Sequence, residues 1–90
     1  NDLMALGAYE AIYETGLKIP EDISVVGHDD FTLASLVRPG LTTMHQPVYK
    51  IGKLAAKVLI DTINGAKRPK NSEIIISTNL IERESVKLLK

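Results

Sequence analysis

Polar and apolar positions alternate along this chain in blocks of different period, and the blocks predict its elements in order. Met4, Ala8, Ala11, Ile12 and Thr15 recur at helical spacing, so Asn1 to Thr15 reads as a helix with that stripe on one face. Asn1 or Asp2 caps its free amides, Gly16 suits the left-handed residue after it, and Pro20 blocks continuation. Ile23 to Gly27 is a short β-prone run with few polar residues, predicted as a buried parallel strand. Phe31 to Val37 predicts one or two helical turns starting near Asp30 or Thr32 and ended by Arg38-Pro39-Gly40. Leu41 to His45 is a second β-prone run, stopped by Gln46-Pro47.

The clearest helix is Val48 to Ile63. Ile51, Leu54, Ala55, Val58, Leu59 and Thr62 make its apolar stripe, while Lys50, Lys53, Lys57 and Asp61 face away. Pro47 stands at its start and Asn64-Gly65 at its end. Ala66 to Ser72 reads as a basic loop carrying Lys67, Arg68 and Lys70, a solvated turn rather than a phosphate site. Glu73 to Ile81 reads as a last strand, followed by a charged segment and a short apolar tail. Helices alternating with strands predict an α/β fold with a doubly wound parallel sheet. Ligands of such sheets gather beyond the carboxyl ends of the strands. Asp29 and Asp30 fall at that end of the first strand.

Composition narrows the function. Eleven basic residues balance eleven acidic ones, so the chain lacks the positive footprint of a domain that itself grips nucleic-acid phosphates. The absence of Cys removes disulfides and thiolate metal sites. No apolar run reaches the roughly 18 residues of a membrane span. No phosphate-binding loop or dinucleotide fingerprint occurs, and no cofactor is expected. Asp29 and Asp30 make a poor acid–base pair, because adjacent side chains on a strand diverge and no second cluster supplies a nucleophile. The same divergence argues against a metal site built from His28, Asp29, Asp30 and His45. The chain is not expected to be an enzyme.

Four motifs then stand out together. They are Asn1-Asp2-Leu3-Met4-Ala5-Leu6-Gly7-Ala8, Ile19-Pro20-Glu21-Asp22-Ile23-Ser24-Val25-Val26-Gly27-His28-Asp29-Asp30, Pro39-Gly40-Leu41-Thr42-Thr43-Met44-His45-Gln46-Pro47 and Leu80-Ile81-Glu82-Arg83-Glu84-Ser85. In this order they resemble the C-terminal part of the effector-binding core of lac repressor (LacI–GalR) family transcription regulators. Periplasmic sugar-binding proteins of transporters share the first two elements and remain the alternative, but the Leu-Thr-Thr and Leu-Ile-x-Arg-x-Ser signatures resemble the repressor branch.

The resemblance implies a periplasmic-binding-protein-like type I fold, present in part and mainly as the C-terminal lobe. On that reading 1–46 belongs to the C-terminal lobe, 47–72 holds a lobe crossing and a helix of the N-terminal lobe, and 73–90 returns as strand and tail. A small effector, with sugars the expected class, lies between the lobes. Operator DNA is read by an N-terminal helix-turn-helix head outside these residues, in a cytoplasmic homodimer with no membrane association.

Asp29 is implied as an effector contact, with capping of the following helix as its ordinary alternative role. Asn1 is implied to line the same cleft while also capping its helix. Gln46 is implied at a lobe crossing beside the pocket, as a ligand contact or a hinge tie. His28 departs from the family's Tyr or Phe and reads as a packed or surface residue rather than a ligand. Leu6, Leu36, Val37, Leu3 and Glu10 are the implied dimer interface. As a separate polypeptide the chain would expose the stripe on 48–63, so it is expected to pair with another copy, swapping that helix, or to belong to a longer chain.

Overall fold

A computed structural model describes residues 1–68 and 73–89. Lys70 and most of the expected crossing at 66–72 lie outside the described residues. The chain divides into two compact units, one of residues 1–46 and 78–90, the other of residues 47–77.

In the first unit, helix α1 spans Asp2–Glu14. Asn1 is its N-cap, the side-chain oxygen accepting from the Met4 amide at 3.0 Å. Its C-terminus closes as expected, with Gly16 at φ +80° and the Leu17 amide reaching back to the Ile12 carbonyl. The buried face differs from the expected one. Asp2, Ala5 and Tyr9 are buried with Ile12 packed beside them, whereas Met4 is 73% exposed. The helix turns an acidic residue inward because Asp2 has specific partners there, which hydropathy alone does not register.

Helix α2, Thr32–Leu36, lies within the expected turns, but neither Asp30 nor Thr32 caps it. The Phe31 amide at its start instead donates to Asp2 Oδ2 at 2.7 Å, a cap supplied by α1. Ala34 and Leu41 meet Ala5, Tyr9 and Ile19 in the core.

Strand β1 is Thr43–His45 and strand β2 is Asn79–Ile81, paired antiparallel with Thr43 opposite Ile81 and His45 opposite Asn79. On the other side of β1 the segment around Val26 runs parallel to it, with bridges Val26–Thr42 and Asp29–His45. The expected parallel pairing is therefore present and continues two residues past Gly27. The expected burial is not: Val25 packs on the core, while Val26 points to the opposite, open face. That face is a groove shared by Val26, Leu80, Val86 and Leu88.

The expected strand over Glu73–Ile81 shrinks to its last three residues. In the observed register, residues before 79 would have to pair with Gln46 and then Pro47. Proline has no amide hydrogen to donate, and the chain there turns into the next helix.

The second unit holds helix α3, Val48–Ile63, with the expected bounds. Lys57 and Asp61 pair across one turn at 3.3 Å. Its apolar stripe is narrower than expected. Ile51, Leu54 and Val58 are half-buried, and with Ala55 they line a groove against Ile74 and Ile76, but Leu59 and Thr62 are exposed. None of its residues is fully buried.

Candidate functional site

The carboxyl end of the 23–29 segment gathers the polar side chains of the first unit, and two consecutive backbone reversals put them there. Asp29 has φ +113° and Asp30 φ +62°, conformations costing on the order of 1–3 kcal/mol each for residues with a Cβ. They persist because the entering segment is tied to its neighbour and the Phe31 amide beyond Asp30 is held by Asp2 Oδ2 at 2.7 Å. The Gly27 amide donates to the Thr42 carbonyl at 2.8 Å and the Asp29 amide to the Met44 carbonyl at 2.9 Å.

The reversal sends the two carboxylates into separate groups. Gln46 Nε2 donates to Asp29 Oδ1 at 2.7 Å. His28 Nδ1 lies 3.1 Å from the same oxygen and 3.2 Å from Gln46 Nε2. A neutral ring protonated on Nε2 accepts from Gln46, whereas a ring protonated on Nδ1 donates to Asp29. The Asp29 carboxylate is thus half-buried and oriented, with acceptor capacity to spare for hydroxyl or N–H donors.

Asp30 turns the other way. Its Oδ1 accepts from Arg83 Nη2 and its Oδ2 faces His45 Nδ1, both at 2.9 Å. Burial alone would raise its carboxyl, but the hydrogen bonds and charges of Arg83 and His45 outweigh it and hold the group below the usual carboxylate range. Arg83 is fixed in turn, Nη1 donating to the Leu41 carbonyl at 2.8 Å and its amide to Thr42 Oγ1 at 2.9 Å.

Beneath these groups sits Asp2, 1% exposed. Its carboxylate accepts from Thr43 Oγ1 and from the Phe31 amide, both at 2.7 Å, and its own amide donates to the His28 carbonyl at 3.1 Å. A buried charge is tolerable only with such partners. Ser85, also fully buried, accepts from the Thr42 amide at 2.8 Å and donates to the Val25 carbonyl at 2.6 Å.

Of the expected site residues, Asp29 and Gln46 are in direct contact. Asn1 is at the same end of the unit, since its neighbour Asp2 is bonded to His28; its side-chain oxygen is engaged as the α1 cap. Asp2, Asp30, His45, Arg83 and Ser85 carry the surrounding network, and their roles were not anticipated. The signal for them is five polar or charged residues inside motifs flanked by apolar runs. Among the described residues, no group of three or more His, Cys, Asp or Glu side chains converges to hold a metal.

A second surface lies on the far side of α1. Leu6, Glu10 and Val37 line an open groove of about 680 Å³ with Tyr9, Tyr13, Glu14 and Arg38. Tyr9 and Tyr13 meet edge to face at 6.1 Å, and their hydroxyls donate to the Pro39 and Arg38 carbonyls at 2.9 and 3.0 Å. Leu3 and Leu36 are exposed at 58% and 64%.

Residues 1–86 match the periplasmic binding protein-like domain. The ribose operon repressor of Escherichia coli K12 is 52% identical over 63 residues, covering 70% of this chain and 19% of that protein. The HTH-type transcriptional repressor PurR of Vibrio atlanticus is 42% identical over 89 residues, covering 99% of this chain and 26% of the repressor. This chain therefore spans between a fifth and about a quarter of the length of these relatives. Among solved structures, a LacI family transcriptional regulator from Enterococcus faecalis V583 with bound ribose superimposes with a TM-score of 0.91 at 41% identity, covering all of this chain and 33% of that one. The periplasmic-binding-protein-like fold expected from the four motifs is thus the fold of this chain, and the chain belongs to the lac repressor (LacI–GalR) family of transcriptional regulators.

Proposed function

We propose that this chain is part of the effector-binding core of a ligand-responsive transcriptional repressor, and that the effector is a sugar contacted by the Asp29 carboxylate. The observation carrying this is the geometry at Asp29: a half-buried carboxylate, turned by a left-handed backbone at the carboxyl end of a parallel-paired segment and fixed by Gln46. A planar carboxylate so oriented matches two neighbouring hydroxyls of a pyranose or furanose ring. Gln46 and Asn1 add amide groups that both donate and accept.

Several solved relatives support the ligand class, being described as complexes with ribose, cellobiose or lactose. On this reading residues 1–46 and 78–90 belong to one lobe of the whole protein and 47–77 to the other, with the effector between the lobes. Operator DNA is bound by a helix-turn-helix head outside these residues, in the cytoplasm. The α1–α2 surface bearing Leu3, Leu6, Glu10, Leu36 and Val37 pairs with a second copy.

The test is a thermal-shift screen of the full-length protein with ribose, cellobiose, lactose and nucleosides. A ligand at 100 times its Kd stabilises by about 2.7 kcal/mol, a readily measured shift. Asp29→Ala should abolish the shift. A full shift retained by that variant, or no shift with any of these compounds, would refute the assignment.

A further inference from the structure

We infer that Asp30 and Arg83 are positioning residues for the effector site: their ion pair holds the left-handed turn that presents the Asp29 carboxylate. The inference rests on the reading of Asp29 as an effector contact and goes beyond it. Nothing in the chemistry of a sugar requires Asp30 or Arg83, and both carboxylate oxygens of Asp30 are already engaged at 2.9 Å, by Arg83 and His45.

The geometry carries the claim. Asp29 at φ +113° and Asp30 at φ +62° form two successive positive-φ residues, neither of them glycine. Isolated chains leave this region readily, because the side chain crowds the carbonyl oxygen. The amide of Asp29 is tied to Met44, but that bond fixes only the entrance to the turn. At the exit, the Asp29 carbonyl accepts from the Gln46 amide over 3.5 Å, at the limit of a hydrogen bond. Two firm ties hold the exit: the Phe31 amide donates to Asp2 Oδ2 at 2.7 Å, and the Asp30 carboxylate is bound on both oxygens at 2.9 Å by Arg83 and His45.

Arg83 is a rigid partner for it. One guanidinium nitrogen is committed to the Leu41 carbonyl and the other to Asp30, while its backbone amide is held by Thr42 Oγ1. Both side chains are largely shielded, 15% exposed for Asp30 and 20% for Arg83. Anchored at two points besides Asp30, this fork fixes both position and direction of the carboxylate it holds. The turn is then pre-formed before the effector arrives. Loss of the tie reduces the fraction of molecules with Asp29 correctly aimed, and apparent affinity falls by that fraction.

Glycine at position 30 separates positioning from stability. It adopts positive φ without strain, which offsets part of the lost ion pair, yet it has no side chain for Arg83 to hold. In the full-length protein, Asp30→Gly is expected to lower Tm by no more than about 5 °C but to weaken ribose binding about tenfold, as a competent fraction of roughly one tenth requires. Arg83→Met should weaken it similarly. Asp30→Asn, which tolerates positive φ and still accepts from Arg83, should stay within about threefold of wild type.

Amide hydrogen exchange supplies a readout independent of any sugar. The Asp29 amide should exchange about tenfold faster in Asp30→Gly and near the wild-type rate in Asp30→Asn. Unchanged Asp29 exchange together with a ribose Kd within twofold of wild type in Asp30→Gly would overturn the inference. An Asp29→Ala variant that still binds ribose normally would instead overturn the effector reading, and the exchange rates would still decide whether Asp30 and Arg83 hold the turn.

Discussion

Replacing Gly27 with alanine should be among the most damaging single-methyl changes available to this chain. A Cβ built at Gly27 collides with Asp2 Oδ1 and stands 2.8 Å from Leu41 Cδ2. Neither neighbour can retreat cheaply. Leu41 is fully buried in the core, and Asp2 is 1% exposed and held by the Thr43 hydroxyl and the Phe31 amide. Moving the carboxylate off Thr43 forfeits a charge-assisted hydrogen bond, about 1.5–3 kcal/mol, and overpacking against Leu41 adds about 1–3 kcal/mol. The expected cost is therefore about 3–5 kcal/mol, a large part of a typical folding free energy of about 5–15 kcal/mol. Urea unfolding of the full-length protein, followed by circular dichroism, measures it. The mechanism also fixes a coupling. Asp2→Ala alone should cost about 3 kcal/mol by leaving two donors unpaired, but the double variant should cost at least about 2 kcal/mol less than the sum, because the collision partner is gone. A Gly27→Ala cost below about 1 kcal/mol, or additivity within about 0.5 kcal/mol, would refute the close approach of Asp2 to this strand.

Three further outcomes follow from the same network and from the α1 surface. Ser85→Ala removes a buried hydroxyl that bridges Val25 and Thr42; the expected loss is about 2–3 kcal/mol in urea unfolding, and a loss under about 0.5 kcal/mol would contradict the bridge. Asp30 titrates below its ordinary value of 3.8 in the folded chain, so its contribution is present above that value and is lost as pH falls through the lower folded one. Stability should thus decline in acid, and Asp30→Asn should flatten that decline below pH 3.8 in urea midpoints. Leu6→Asp places a charge in the groove beside Val37; self-association measured by light scattering should weaken at least about a hundredfold with ribose affinity unchanged, and a variant as dimeric as wild type would remove this surface as the interface.

The elements were legible where a local period decides them. Helix α3 has the expected bounds because a long amphipathic stripe, a proline before it and Asn-Gly after it all agree. The α1 cap and its glycine terminus were equally local. Strand lengths were not, since a strand is a property of its partner. Ile74 to Ile76 reads as β on composition, yet the register of β1 runs out at His45 and offers those residues nothing to pair with. The buried face of α1 was misplaced for a related reason. Hydropathy puts Met4 inside and Asp2 outside, and only the arrival of the Thr43 hydroxyl and the Phe31 amide from distant positions makes a buried carboxylate favourable.

The candidate site divides along the same line. Asp29 could be singled out because position at a strand's carboxyl end is readable from element order, and Gln46 because the family resemblance implied it at a lobe crossing beside the pocket. Arg83 could not, for its partner Asp30 is 53 residues away and neither residue has a pattern that announces the other. Yet the two kinds of position are not independent. The reversal that separates Asp29 from Asp30 gives adjacent carboxylates opposite assignments, one oriented with capacity left for a ligand and one saturated by Arg83 and His45. A strand would also have sent them to opposite faces, but it would have left both on regular backbone that any residue adopts. Placing both at positive φ makes presentation of the first depend on satisfaction of the second. Chemistry at this site therefore sits on a residue visible from sequence, and the energy that aims it sits on a pair that only the fold brings together.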